Sequence, residues 1–557
     1  MGVIQPLRLA CGFSATMDGQ SENYYARRER TSQPVKYSMP GLDLKYTPSV
    51  LSADRQAGVC LHFSSLPSPY GIGDIGDAAL AFLQQLVDMD MSVWQFLPTG
   101  PTAYGDSPYQ PLSAFAGNAM LIGFEPLLRA GLLHEEELHP LVNLDQASVD
   151  FAQLIPAKHS LLTMAAERFE SRASAAMKAD YDEFLQRHYQ RWLKNYTLYR
   201  VLKTRHGEKP WPEWDALFAQ REPAAIERIS EQCHKELQQL AIVQFFFYQQ
   251  WQVLRETAQE KNIKLFGDMP IYIALDSADA WANPELLRID STGKPTHVAG
   301  VPPDYFSTDG QLWGNPLYDW GMHARSGYAW WIERMRHASE QNDLVRVDHF
   351  RGFESFWAVP FTATTARHGE WERGPRDGLF LAMQSELGPL PIVAENLGVI
   401  TPEVEALRLR HQMPGMVVLQ FEVNNPDFDP GQIAANNVCY TGTHDNDTTV
   451  GWFVGAHYDT RSEEEIKITQ ENVLRLTDGS AATVHSDLIR LAFATPARLA
   501  IIPMQDYLGL GGDSRMNVPG TTWNNWRWRL GSDALSQENI GQIRALVSET
   551  CRKRGRQ

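Results

Sequence analysis

The chain has 557 residues, 43% of them hydrophobic and 21% charged, and carries a formal net charge of −17. That length suits a large barrel with insertions or two to three domains, and that composition is globular rather than disordered. An acidic total speaks against a nucleic-acid scaffold, an anionic membrane surface and a strongly anionic substrate, whereas a neutral partner is indifferent to it.

Residues 1–55 read as a peripheral arm: they are polar, carry the run Arg27-Arg28-Glu29-Arg30 and show no sustained period. The apolar run near the start is broken by Pro6, Arg8 and Gly12, which makes a poor signal peptide. Asp18 and Glu22 sit badly in an organelle-targeting peptide, so a plastid stroma stays as the alternative to a cytoplasmic location. The five cysteines, Cys11, Cys60, Cys233, Cys439 and Cys551, are scattered, with no C-x-x-C pair. They indicate neither a disulfide framework nor a zinc site and fit a reducing compartment. No stretch reaches the roughly 18 apolar residues of a membrane span.

From residue 56 onward, eight short apolar, β-branched runs read as buried parallel strands. They lie near Val59–Phe63, Ser92–Pro98, Lys264–Ile273, Leu344–Phe350, Pro391–Leu397, Met416–Phe421, Val438–Asp445 and Leu499–Asp506. Stretches with helical spacing separate most of them, as at Glu403–His411 and Ser486–Phe493. This alternation predicts an α/β fold, a (β/α)8 barrel of the TIM type spanning 56–557. A doubly wound sheet competes, but no G-x-G-x-x-G follows the first strand. The gap between the second and third strands is too long for one crossover. Residues about 123–260, with apolar spacing over Tyr181–Leu202 and Cys233–Gln259, predict a helical insertion. Asp276–Trp320, rich in Gly, Pro and aromatics, reads as a long rim loop.

Active-site groups of such a barrel gather at the C-terminal ends of its strands. Three acids fall there: Asp348 after the fourth strand, Glu395 after the fifth and Asp445 after the seventh. Arg346 and Asp348 are two apart on one strand and share a face, so the guanidinium is expected to keep Asp348 ionised, as a nucleophile requires. Glu395 has a more apolar context, and burial beside Asp348 is expected to raise its pKa, as a general acid requires. Asp445 then holds sugar hydroxyls. Two carboxyls in these roles define glycosidic bond cleavage. Two other readings stand beside this one. Arg346–Asp348 is also what a structural ion pair looks like, and Asp348-His349 with His444-Asp445 also suits a metal-dependent hydrolase. Neighbours on a strand point to opposite faces, which would leave each of those pairs one inward ligand.

Several segments resemble the 4-α-glucanotransferases called amylomaltase or disproportionating enzyme, a branch of the α-amylase clan. They include Ser65-Leu66-Pro67-Ser68-Pro69-Tyr70-Gly71, Tyr104-Gly105-Asp106-Ser107-Pro108-Tyr109-Gln110 and Gly267-Asp268-Met269-Pro270. They continue with Gly300-Val301-Pro302-Pro303-Asp304-Tyr305-Phe306, Leu312-Trp313-Gly314-Asn315-Pro316 and Asn525-Trp526-Arg527-Trp528-Arg529. The resemblance implies a retaining transferase acting on α-1,4-glucans as donor and acceptor, with no metal or organic cofactor and no C-terminal β domain. It makes Asp348 the nucleophile, Glu395 the acid/base and Asp445 the transition-state stabiliser. Arg346, His444 and Asp268 join the substrate-binding set. Tyr109 stacks under donor glucose with Ser107 beside it, and Tyr104 belongs to a second glucan groove. Asp304, Tyr305, Phe306, Gln311, Trp313 and Asn315 form a covering loop, and Phe421 meets the acceptor unless it simply packs in the core. The sequence departs from the family at Asn396, where Asp is usual and whose neutrality is expected to lower Glu395's pKa, and at Glu422. It sets no oligomeric state.

Overall fold

The structure, a computed structural model, describes residues 49–303, 308–456, 458–550 and 552. The expected arm therefore falls, up to residue 48, outside the described residues.

Eight parallel strands form the barrel: β1 (Gln56–Cys60), β2 (Val93–Gln95), β3 (Lys264–Met269), β4 (Leu344–Val347), β5 (Ile392–Ala394), β6 (Gly415–Val418), β7 (Asn437–Tyr440) and β8 (Leu499–Pro503). Their hydrogen-bonded order runs β6-β7-β8-β1-β2-β3-β4-β5. The remaining joint, between β5 and β6, is made by Ala394 N–H to the Pro414 carbonyl (2.8 Å) and by Asn396 Oδ1, which accepts the Met416 N–H (2.8 Å). Every expected strand is present; β1 begins three residues before its apolar run, and the other seven are shorter than theirs. The excess residues belong to the loops that carry side chains across the rim.

Alternation along the strands sorts the core. Leu499 and Ile501 of β8 point into the barrel with Val93, Phe266, Leu344, Val393, Met416, Val438 and Tyr440, while Ala500 and Ile502 face the surrounding helices. Leu51, only 5% exposed, belongs to the interior cluster and closes its lower end.

The insertion after β2 is helical, with α1 (Phe151–Arg172), α2 (Ala175–His188), α3 (Lys194–Arg205) and α4 (His234–Glu260) as its main members. Asp150 and Ser174 cap α1 and α2 by accepting the N–H groups of Gln153 and Met177. Helix α4 buries Phe245, Phe246 and Phe247 in succession, and so is apolar on more than one face, because it lies between barrel and insertion. Two buried glutamines anchor it. Gln244 holds both backbone groups of Gly117, and Gln250 both of Gly123, at 2.7–2.9 Å. Beyond β3 come α5 (Ala329–Gln341), α6 (Pro402–Arg410), α7 (Val484–Ala494) and α8 (Gln537–Glu549). The last carbonyls of α7 are taken by two guanidiniums. Arg55 and Arg552 both bond Phe493 O and Thr495 O, and Arg552 reaches Gln56 O and Ala497 O as well.

The expected rim loop Asp276–Trp320 needs correction. It contains two strands, His297–Val301 and Gln311–Pro316, of an antiparallel four-stranded sheet completed by Ser355–Pro360 and Glu370–Arg373. The partners come from beyond β4, a pairing too distant for local periodicity to reveal. At the hairpin, Gly310 has φ +67°, and a Cβ there would lie 2.3 Å from Val301 O, so the turn requires glycine. Among the described residues no helix is long and apolar enough to cross a membrane.

Truncating Leu51 tests the barrel plug. Leu51→Ala should destabilise the protein by about 2–4 kcal/mol, read as a lower thermal midpoint, with room-temperature activity retained. An unchanged midpoint would mean that Leu51 does not hold the lower end.

Candidate active site

Asp268 of β3 and Arg346 of β4 are register partners inside the barrel. The Arg346 guanidinium accordingly donates to both Asp268 oxygens (2.9 and 2.7 Å) and, through its other terminal nitrogen, to Asp348 Oδ1 (2.8 Å). Asp268 is 0% exposed at its side chain and Asp348 29%. Only Asp348 can meet a ligand. Asp268 was expected among the substrate contacts, but its burial makes it the anchor that orients Arg346.

This sharing also corrects the expectation for Asp348. Burial pushes its carboxyl above its ordinary value; Arg346 pulls it back, and Asp268 and Asp445 push it up again. One guanidinium serves two carboxylates, so it does not hold Asp348 below the usual range.

Glu395 follows β5 directly and is buried. Among the described residues no cation pairs with it. Its oxygens accept the N–H groups of His349 and Leu397, both at 2.7 Å. Burial, with Asp348 adding to it against Arg346, raises Glu395 to about 7. The His349 N–H reaches Glu395 because His349 adopts a left-handed backbone, φ 50°, which costs about 1–3 kcal/mol for a non-glycine residue. Its ring is kept neutral, burial lowering the pKa to about 3, and meets Trp313 edge to face at 4.7 Å. Asn396 makes its hydrogen bonds away from Glu395. Its amide is spent across the seam, on Met416 N–H and on Glu405 Oε1 (2.7 Å).

Strand β7 ends at Tyr440, so Asp445 sits on a loop and not at a strand end. Buried Asp506 grips that loop, accepting from the Thr441 hydroxyl (2.6 Å) and from the Thr449 N–H (2.6 Å) and hydroxyl (2.8 Å). Asn517 Nδ2 donates to Asp445 Oδ1 (2.6 Å), Arg515 to its main-chain oxygen (2.6 Å), and His444 Nε2 lies 3.4 Å away. Asp445 keeps 47% of its side chain exposed. Asn517 and Arg515 escaped sequence reasoning, which looked for carboxylates and weighed His349 as a metal ligand alone. The barrel rule applied to the loop after β8 would have drawn attention to Asn517 and Arg515.

Tyr109 links the loops after β2 and β7. Its hydroxyl donates to Asp268 Oδ2 (2.8 Å), and its ring stacks on His444 (5.0 Å, 14°) with Trp526 beside both. Ser107 Oγ fixes this turn by accepting the Tyr109 N–H (3.2 Å). On the opposite rim, Trp313 donates to the exposed Gln311 (3.1 Å). Asn315 is buried in a reciprocal amide pair with Gln110 (3.0 and 3.3 Å) and also donates to Ile273 O, so it locks the rim strand and has no face for a sugar. Phe421, 53% exposed, does not pack in the core. Asp304, Tyr305 and Phe306, and the side chain of Tyr104, lie outside the described residues. β4 and β7 end before His349 and His444, so strand alternation does not limit what these residues could ligate. Among the described residues, however, no group of three His, Cys, Asp or Glu could hold a metal ion.

The 4-alpha-glucanotransferase family model matches residues 61–534. A 4-alpha-glucanotransferase of Synechocystis is 45% identical over 497 residues, covering 88% of this chain and 96% of that protein. One from Thermus thermophilus is 43% identical, covering 89% and 99%. The solved structure of an amylomaltase from Streptococcus agalactiae in complex with acarbose superposes with a TM-score of 0.83 at 35% identity, over 90% of this chain and 100% of that one. The chain belongs to the 4-alpha-glucanotransferase family.

Proposed function

We propose that Asp348, Glu395 and Asp445 carry out a retaining transfer between α-1,4-glucans. The observation that carries this is the unequal setting of two neighbouring carboxyls. Asp348 has a guanidinium at 2.8 Å, which favours its ionised form, while Glu395, among the described residues, has backbone N–H partners alone and sits at about 7. Protonated Glu395 gives its proton to the glycosidic oxygen as the Asp348 carboxylate attacks the anomeric carbon. The C–O bond breaks, and a glucosyl ester forms on Asp348. The shortened glucan leaves. A second glucan then offers its 4-hydroxyl; Glu395 takes the proton, and the new bond releases Asp348 with the original stereochemistry. Asp445, half-exposed and aimed by Asn517, is suited to hydroxyls of the transferred glucose. Arg346, His444 and Tyr109 shape the donor side, while Trp313, Gln311 and exposed Phe421 suit the acceptor side. Free Cys60, Cys233 and Cys439 fit the cytoplasm.

Transfer in place of hydrolysis requires an acceptor to outcompete water at about 55 M through proximity and orientation. Maltotriose is therefore expected to give glucose and a ladder of longer glucans, with almost no rise in total reducing ends. A steady rise without longer products would make the enzyme a hydrolase.

Asp348→Asn should lower turnover by about four orders of magnitude or more while glucan affinity stays near normal. Near-native rates in this variant would remove Asp348 as the nucleophile.

The acid function predicts a pH limb. As pH rises through about 7, Glu395 loses its proton and kcat/KM should fall. Glu395→Gln should abolish this limb and lose far less on a glucosyl donor whose leaving group needs no protonation. Equal loss on both donors would assign the acid elsewhere.

A further inference from the structure

A cavity of about 290 Å³ lies between the helical insertion and the segments that follow β3, and shares no lining residue with the catalytic centre. That volume approaches the lower end of small-ligand pockets. Its walls include Trp192, Trp330, Arg191, Asn195, Asn283 and Glu285.

Both indoles are held rigidly. Trp192 stacks on Tyr248 (5.6 Å, 30°) and donates to His188 (3.2 Å). Trp330 is half-buried, with the Arg334 guanidinium 5.3 Å from its ring centre and Phe115 at its edge. The chain is irregular here as well. Arg191 and Trp192 belong to a π-helical turn, Tyr189–Leu193, inserted between α2 and α3. Such a turn is rare and recurs at functional sites.

The polar groups are sorted by their outer contacts. Arg221 donates to Asn195 Oδ1 (2.9 Å), which turns the Asn195 NH₂ group away from it as a donor. Asn283 spends its NH₂ on Asp279 O (3.0 Å), leaving its oxygen as an acceptor. Glu285, exposed at the mouth, adds a second acceptor. Arg191 is already engaged by Glu333 and Glu340, so the cavity offers no cation to an anion. Trp192, 3% exposed, backs the cavity, while half-buried Trp330 keeps part of its ring open; that aromatic wall with a donor and acceptors beside it matches a neutral polyol with apolar C–H faces.

We infer that this cavity is a non-catalytic binding site for a glucose unit of an α-glucan, held away from the reacting bond. The inference rests on the transferase reading for its ligand class alone. Two ends of one long chain held at two sites gain in apparent affinity, which a short substrate cannot do.

The test uses maltoheptaose and the full chain. In a Glu395→Gln background, where turnover is suppressed, calorimetric titration should reveal a binding site additional both to the catalytic cleft and to the Tyr104 groove that the family resemblance implies. Ala329→Trp, which obstructs the mouth from an exposed position, and Trp330→Ala, which removes a wall, should each abolish that additional site. In otherwise native enzyme the same changes should leave kcat and KM on maltotriose within about twofold and raise KM on soluble starch about fivefold. An unchanged number of sites in Ala329→Trp, or a starch KM indifferent to both changes, overturns the cavity site while leaving the transferase reading intact. Absence of any glucan binding overturns both.

Discussion

One buried guanidinium organises this barrel. Arg346 lies between Asp268 and Asp348 and bonds to both. Removing one partner of such a group would strand a charge inside the protein at a cost of about 3–5 kcal/mol. Much else is fastened to it. Asp268 carries the Tyr109 hydroxyl, Tyr109 carries the His444 ring, and His444 neighbours Asp445. The loops after β2, β4 and β7 thus take their positions from one cation and the two acids beside it. An Arg at this place is not interchangeable with Lys, whose ammonium lacks a planar fork to serve two carboxylates at once.

The two carboxyls proposed to react diverge because the backbone treats them differently. Asp348 stands in the open mouth beside a cation. Glu395 is withdrawn, and His349 must adopt a left-handed conformation to present an N–H to it. That strain sits between the two acids in sequence and in space. The surrounding fold supplies the compensation: Phe350 and Phe353 bury their rings immediately after the strained residue, and Phe350 N–H bonds Glu395 O.

The sequence made the architecture legible, because period-two apolar runs and helical spacing are local signals that burial enforces. All eight strands and the helices of the insertion could be located. The acids at 348 and 395 were legible for the same reason, since each ends a strand that places it on the rim. What escaped was long-range. The rim sheet joins strands some 60 residues apart, as in His297 opposite Pro360. The sharing of Arg346 depends on a neighbour in β3, so a reading confined to β4 assigned it wholly to Asp348. Asn315 and Asp268 carry family motifs but turn out to be internal braces, because motif membership does not tell a buried contact from an exposed one.

Asn396 has a consequence for how the barrel breathes. Seven of its eight joints are ladders of backbone hydrogen bonds, whereas the eighth depends on one backbone bond and on the Asn396 side chain. A side-chain bond can be lost by a rotamer change without moving any strand, so this joint has the lowest threshold for local opening. The Met416 amide would then exchange its hydrogen with solvent sooner than the ladder amides of β1 and β8. Because Glu395 immediately precedes Asn396, the same opening would loosen the residue proposed to carry the proton, making Glu395 the member of the proposed triad most exposed to slow fluctuations of the ring.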